Sequence, residues 1–176
     1  MWTTTYSRII FELATKGIVK AIAIDPVTES SSPVSREEYD ISKEKWHVVT
    51  PEDPKAAFVI DADERSIWKS DATEDLPQSI VVDLGETLQL TGFTYLPTQQ
   101  RYIDGTVSEY EFYVSKNGKR WRKPVSSGEF SNIKNNPILQ TKTFDKVKAR
   151  YVKFVGLKEI NDREFITIAE LGVITE

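Results

Sequence analysis

The chain has 176 residues, enough for one domain with a sizeable core and an appendage, and its 39% hydrophobic and 28% charged residues are an ordinary globular composition. A formal net charge of −4 and a pI near 5.2 give the whole molecule no basic footprint for nucleic acid or an anionic membrane surface. Cysteine is absent and histidine occurs once, which excludes a disulfide framework, a thiolate metal site and an ordinary zinc site; no apolar run approaches the ~18 residues of a membrane span.

In chain order, Met1-Trp2-Thr3-Thr4-Thr5 lacks the basic and apolar regions of an export signal, so if the full protein is exported this chain is a fragment of it. Residues 8–13 and 18–24 read as two short strands about a Thr15-Lys16-Gly17 turn. A polar, proline-bounded connector over 25–33 leads to a further edge strand at 34–41. Ser42-Lys43-Glu44-Lys45 is a charged linker. Residues 1–42 are therefore expected as a partial β-module or an N-terminal β-hairpin appendage, and 43–176 as the main domain, opening at Trp46-His47-Val48-Val49. A helical turn is expected over 55–60, then strands at 79–84, 88–96, 109–115, 138–144, 149–157 and 166–174. Val, Ile, Phe, Tyr and Thr build them, and Gly, Asn, Asp and Pro punctuate them. Asn117-Gly118 predicts a hairpin with the two positive φ values of a type I′ turn. Regular short strands without a long amphipathic helix mean a β-sandwich or barrel.

Two stretches carry chemistry. Between apolar flanks, Asp61 and Asp63 stand two apart and Ser66 adds a hydroxyl three further on. Carboxylates, hydroxyls and loop carbonyls are the hard oxygens that Ca²⁺ takes, six to eight at a time. Glu170, from a distant strand, would let such an ion tie the two ends of a domain together. The spacing is not that of an EF-hand, and Asp-x-Asp in a polar turn is by itself usually solvated. For catalysis the chain offers little. His47 is the single candidate base, in a strand start, and no Gly-x-Ser-x-Gly, phosphate loop or obvious carboxylate pair accompanies it. The chain is expected to catalyse nothing.

An ordered set of motifs runs over residues 46–176: Asp61-Ala62-Asp63 followed by Ser66 and Trp68, then Asp83-Leu84-Gly85, Gly92-Phe93-Thr94-Tyr95-Leu96-Pro97, Tyr110-Glu111-Phe112-Tyr113-Val114-Ser115, Asn117-Gly118-Lys119-Arg120-Trp121, Ala149-Arg150-Tyr151-Val152-Lys153-Phe154 and Ala169-Glu170-Leu171. This set resembles the F5/8 type C, or discoidin, domains, and within them the carbohydrate-binding modules of family 32. The resemblance implies an all-β, discoidin-like jelly-roll β-sandwich. It also implies a structural Ca²⁺ held by the Phe58 carbonyl, Asp61, Asp63, Ser66, the Ala169 carbonyl and Glu170, three of whose carboxylates would repel one another without a cation. Ala62 replaces the usual Gly and Ser66 the usual Thr; Ser keeps the oxygen, whereas Ala does not share the freedom of Gly at φ > 0. Residues 17–37 resemble the last strands of the chitobiase/β-hexosaminidase C-terminal module. The missing cysteines look bacterial, since animal discoidin domains are usually closed by a disulfide.

Modules of this kind bind through loops at one end of the sandwich, where a sugar needs an aromatic face and planar polar groups. Three loops qualify: 68–71, 99–104 and 161–165. Lys69, Arg101, Tyr102, Arg163 and Phe165 are the expected contacts, while Trp68 and Trp121 read as packing residues. Galactose-binding members often place His where this chain has Lys69. The reading is a non-catalytic, monomeric carbohydrate-binding module with a glycan and a parent catalytic domain as partners. That parent would be a secreted or periplasmic bacterial glycoside hydrolase of the α-L-fucosidase, hexosaminidase or chitobiase kind. The alternative is a structural or protein-interaction spacer that keeps the calcium site and binds no sugar.

Overall fold

A computed structural model describes residues 16–176, with 37–39 as backbone only; the strand expected at 8–13 lies outside them. The described residues fall into two units that divide after Ser42. In the first, β1 (Gly17–Ala21) and β2 (Ser35–Tyr39) pair antiparallel, with Gly17 opposite Tyr39. Asp25 shapes the connector between them, its carboxylate accepting from the Val27 and Thr28 N–H groups.

The second unit is built from β3 (His47–Thr50), a 3-10 helix (Pro54–Ile60), β4 (Trp68–Lys69), β5 (Gln78–Leu96), β6 (Val107–Ser115), β7 (Ser126–Glu129), β8 (Gln140–Glu159), β9 (Thr167–Ile168) and β10 (Glu170–Thr175). Asp53 caps the helix by accepting from the Lys55 N–H, and its other oxygen accepts from the indole N–H of Trp68. All pairings are antiparallel, in the order β10-β5-β8-β6-β7 with β3 also on β5, and β4 pairs with β9. The strands expected at 79–84 and 88–96 are one strand, β5, bent at Gly85. That glycine has φ +76°, and a Cβ on it would lie 2.7 Å from the Lys45 carbonyl oxygen. The strands expected at 138–144 and 149–157 likewise merge into β8.

The bends make the fold a sandwich. The first half of β5 pairs with β3 and with 151–156 of β8, the second half with β10 and with 140–149. Phe93, on the second half, thereby lies flat on Phe112 of β6, with ring centroids 4.1 Å apart, and Tyr95 stacks on Phe154 at 5.1 Å. These rings are wholly or almost wholly buried, each worth roughly 1.5–3 kcal/mol in transfer free energy. The protein is an all-β, discoidin-like sandwich. Its register puts the 97–106 loop and the 159–166 stretch at one end, and the Gly85 bend with the 116–125 loop at the other.

Two local expectations need correction, and one strand was not expected. Asn117-Gly118 is not a type I′ turn, because of the two only Gly118 has a positive φ (68°). The next strand, β7, begins only at Ser126, so the turn is not a two-residue hairpin. It is held by Ser115 Oγ, which accepts from the Asn117 and Gly118 N–H groups, and by Asn117 Oδ1, which accepts from Lys119 and Arg120. The strand expected over 166–174 is broken at Ala169 into β9 and β10. Finally β7, Ser126-Ser127-Gly128-Glu129, has no apolar alternation to announce it.

Candidate functional site

Three loops meet at the first end of the sandwich. Glu159, at the close of β8, is 1% exposed. One of its oxygens accepts from the Gly105 N–H at 2.7 Å, the other from Asn161 and Arg163 at 2.6 and 2.9 Å. Asp104 ties the same loops from outside, accepting from Asn161 Nδ2 at 2.8 Å and lying 3.4 Å from the Arg163 guanidinium. Gln78 Nε2 donates to the carbonyls of Asp71, Glu74 and Glu164, bringing in the 70–77 loop. Ser70 completes the join with two hydrogen bonds to the backbone of Ile166. Apart from the two Asp104 contacts, which join side chains, each bond satisfies a backbone group that regular structure would otherwise pair, so the loops are tied together without a ligand.

The five expected contacts lie on or next to these loops in different conditions. Tyr102 is 77% exposed, with the Arg101 guanidinium 5.7 Å from its ring centre. Arg163 leans on Asp104. Lys69 sets its ammonium 3.8 Å over the ring of Phe165, and that ring also packs against Gly105, where an added Cβ would come within 2.9 Å of it. Phe165 is thus half-buried between a cation and a backbone, which leaves Tyr102 as the open aromatic face. Trp68 is 2% exposed and belongs to the core, and Trp121 lies under Lys153 at 5.1 Å on a sheet face. Glu159, Asp104 and Gln78 were not singled out from sequence. Glu159 sits in Leu157-Lys158-Glu159-Ile160, where a charge at a strand end ordinarily reads as solvated, and only the pairing of β8 with β6 reveals its burial.

The acidic loop is a knot of oxygens. Ser66 Oγ lies 3.4 Å from the Phe58 carbonyl, 2.9 and 3.1 Å from the two Asp61 oxygens and 2.9 Å from the Asp63 carbonyl. Ala62 takes φ +61°, the left-handed conformation that the usual Gly adopts freely, so the departure changes the strain and not the shape. Glu170 reaches the site from β10. Its Oε2 accepts from the Lys43 ammonium, and its Oε1 is buried without a hydrogen-bond partner. Burial pushes the Glu170 carboxyl above the usual carboxylate range against the pull of Lys43 and of the Ala62 N–H nearby, with the Asp61 charge a small addition. The expected crowd of three carboxylates is not there, and among the described residues no three acidic or His side chains gather to hold an ion. The reason is Arg65, whose Nε and Nη2 fork onto the two Asp63 oxygens at 2.9 and 3.0 Å and turn that carboxylate outward. Asp63 therefore faces the knot with its carbonyl. The donor chemistry still fits a hard cation: carbonyls, a carboxylate, a hydroxyl and an orphaned buried carboxylate oxygen. Ala169, wholly buried between β9 and β10, is next to Glu170 in sequence.

His47 is placed structurally. Its Nε2 lies 3.6 Å from Asp83, a buried carboxylate that Arg150 grips with Nε and Nη2 at 2.8 and 2.9 Å and that accepts from the Gly85 N–H at 2.8 Å.

Comparison with known proteins agrees with this architecture. The model of the F5/8 type C domain matches residues 26–171. A sialidase of Micromonospora viridifaciens is 32% identical over 126 residues, covering 69% of this chain and 19% of that enzyme. The chain thus spans about a fifth of the length of that relative. Among solved structures, a family 32 carbohydrate-binding module of Clostridium perfringens in complex with GalNAc-β-1,3-galactose superposes with a TM-score of 0.68 at 33% identity, covering 76% of this chain and 98% of the module. The family 32 module of C. perfringens NanJ, in complex with galactose, gives 0.64 at 25% identity, over 75% of this chain and 95% of the module.

Proposed function

Because the chain belongs to the F5/8 type C domain family, we propose that it is a non-catalytic carbohydrate-binding module, which holds a bacterial glycoside hydrolase against its glycan by gripping a terminal sugar in the loop cluster. The observation that carries this is the open ring of Tyr102 beside Arg101, on loops tied together through Glu159, Asp104 and Gln78, with Arg163 on one of them. The ring takes the apolar C–H face of the sugar, and the guanidiniums and Lys69 donate to its hydroxyls. The two solved relatives, one in complex with galactose and the other with a disaccharide that ends in N-acetylgalactosamine, support a sugar of that kind. Lys69, in the place where galactose binders often carry His, alters the donor at one edge. The parent enzyme belongs to the fucosidase, hexosaminidase or chitobiase kind and works in the periplasm, at the cell surface or outside the cell, with this chain as a monomeric arm.

In the same reading the acidic loop holds a structural Ca²⁺ through the Phe58 carbonyl, Asp61, the Asp63 carbonyl, Ser66, the Ala169 carbonyl and Glu170. When bound, the ion supplies no chemistry to a sugar; it joins the loop before β4 to the start of β10.

A second reading, the spacer, is favoured by one observation: Lys69 already sits on Phe165 and Arg163 on Asp104, so three of the five contacts are engaged inside the protein. A glycan array probed with the chain and with Tyr102→Ala separates the two. A sugar binder gives hits on terminal galactose or N-acetylgalactosamine that Tyr102→Ala weakens about tenfold or more. A folded chain that leaves the array blank is a spacer.

A further inference from the structure

At the end of the sandwich opposite the loop cluster, a groove of about 720 Å³ opens between the 116–125 loop and residues 145–148 of β8. Five cations line it, Lys116, Arg120, Arg122, Lys123 and Lys148, against the single carboxylate of Asp145. The whole molecule has a formal charge of −4, so this concentration runs against the average. Among the described residues, Lys43, Lys45, Arg65, Lys146, Arg150, Lys158 and Arg163 all lie within 4.0 Å of a carboxylate, and none of the five does. Like charges gathered in a concave surface focus their field and attract anions.

The groove is also built. Its loop is set by the Ser115 and Asn117 turn bonds that fix the backbone of Lys119 and Arg120, and by the Val125 N–H donating to Phe112. Gly118 packs on the Tyr151 ring so closely that a Cβ would lie 3.0 Å from it. Val114, Pro124, Val125 and Val147, all half-buried, supply apolar wall. Two guanidiniums suit carboxylate or sulfate by their forked donors, and the size falls in the ~300–1,000 Å³ range of small-ligand sites. No aromatic residue lines the groove, so the stacking on which single-stranded nucleic acid depends is missing.

We propose that this groove is a second site, separate from the loop cluster, which takes an acidic oligosaccharide carrying carboxylate or sulfate groups. That the ligand is a glycan rests on the function proposed above; that it is an anion rests on the groove alone. A module with both sites would hold a terminal sugar at one end and an acidic stretch of chain at the other.

The test uses the full chain, calorimetry and four probes: trigalacturonate, a sulfated heparin-derived hexasaccharide, neutral GalNAc-β-1,3-galactose and a single-stranded DNA oligomer. At least one acidic sugar is expected to bind, less tightly as salt rises from ~0.05 to ~0.5 M. Binding of trigalacturonate shows that carboxylates suffice, and binding of the heparin-derived sugar alone points to sulfate. In Arg120→Ser/Arg122→Ser, both exposed positions, that affinity falls about tenfold or more, while the neutral disaccharide binds as before; Tyr102→Ala gives the reverse pattern. Lack of binding by both acidic sugars overturns the proposal, as does acidic binding that Arg120→Ser/Arg122→Ser leaves intact. DNA binding as tight and as sensitive to the same variant overturns the assignment to a glycan. Loss of the neutral probe alone, with groove binding intact, removes the loop-cluster reading and leaves the groove standing.

Discussion

Lys43 and Glu170 show how one residue alters the terms on which a site works. The Lys43 ammonium is already on one oxygen of the Glu170 carboxylate, the group proposed to take Ca²⁺, so a divalent ion on the other oxygen shares that carboxylate with an internal cation. Lys43→Met removes the competitor and leaves the buried carboxylate dependent on metal. Chelation is then expected to lower the melting temperature of the variant by more than it lowers that of the parent chain, read by calorimetry with and without EDTA. Equal drops would separate Lys43 from the metal site, and no drop in either would remove the metal. The loop oxygens were readable from Asp61, Asp63 and Ser66. The outward turn of Asp63 was not, because it depends on which side of the loop Arg65 falls, and that is a matter of backbone geometry.

At the scale of elements, the joints matter more than the strands. Glu159 serves three N–H groups from two loops, so Glu159→Ala leaves the buried Gly105 N–H without an acceptor, at about 1–3 kcal/mol, and frees the part-buried Asn161 and Arg163 N–H groups at a smaller cost each. The expected result is a loss of about 2–4 kcal/mol, with faster amide exchange at Gly105, Asn161 and Arg163 and an unchanged rate in the centres of β5 and β8. Asp83 joins β3, β5 and β8. Burial works to raise its carboxyl, but Arg150, the Gly85 N–H and Tyr151 outweigh it and hold it below the ordinary value of 3.8. A depressed carboxyl adds stability that is fully present above the unfolded value and is lost as pH falls through the folded one. Melting temperature should therefore decline below about pH 4, and Asp83→Asn should flatten that decline; an acid slope identical in both would locate the acid-sensitive group elsewhere. Strand existence was legible in the chain because Val, Ile, Phe and Tyr alternate. Strand continuity was not. Gly85-Glu86-Thr87 reads as a turn, and only the pairing on both sides shows that it bends one strand. Asn117-Gly118 misled in the opposite sense, promising a tight hairpin where side-chain bonds to the backbone build a wider loop.

At the largest scale, the fold of the second unit and its end-to-end polarity follow from two long bent strands, β5 and β8, which carry aromatic rings into the core and leave loops at two ends. One end offers a tyrosine beside the Arg101 guanidinium on cross-linked loops, the other a basic groove. The family motifs were legible as an ordered set, and Tyr102 as a loop aromatic. The partnership of Lys69 with Phe165 was not, since it joins residues nearly a hundred positions apart. The central claim, that the loop cluster holds a terminal sugar, is tested most directly by an amide-resolved NMR titration of the chain with GalNAc-β-1,3-galactose. The account predicts saturable shifts confined to 69–71, 99–104 and 161–165, lost in Tyr102→Ala, with 116–125 silent. No shifts at saturating sugar, or shifts that survive Tyr102→Ala, would contradict it.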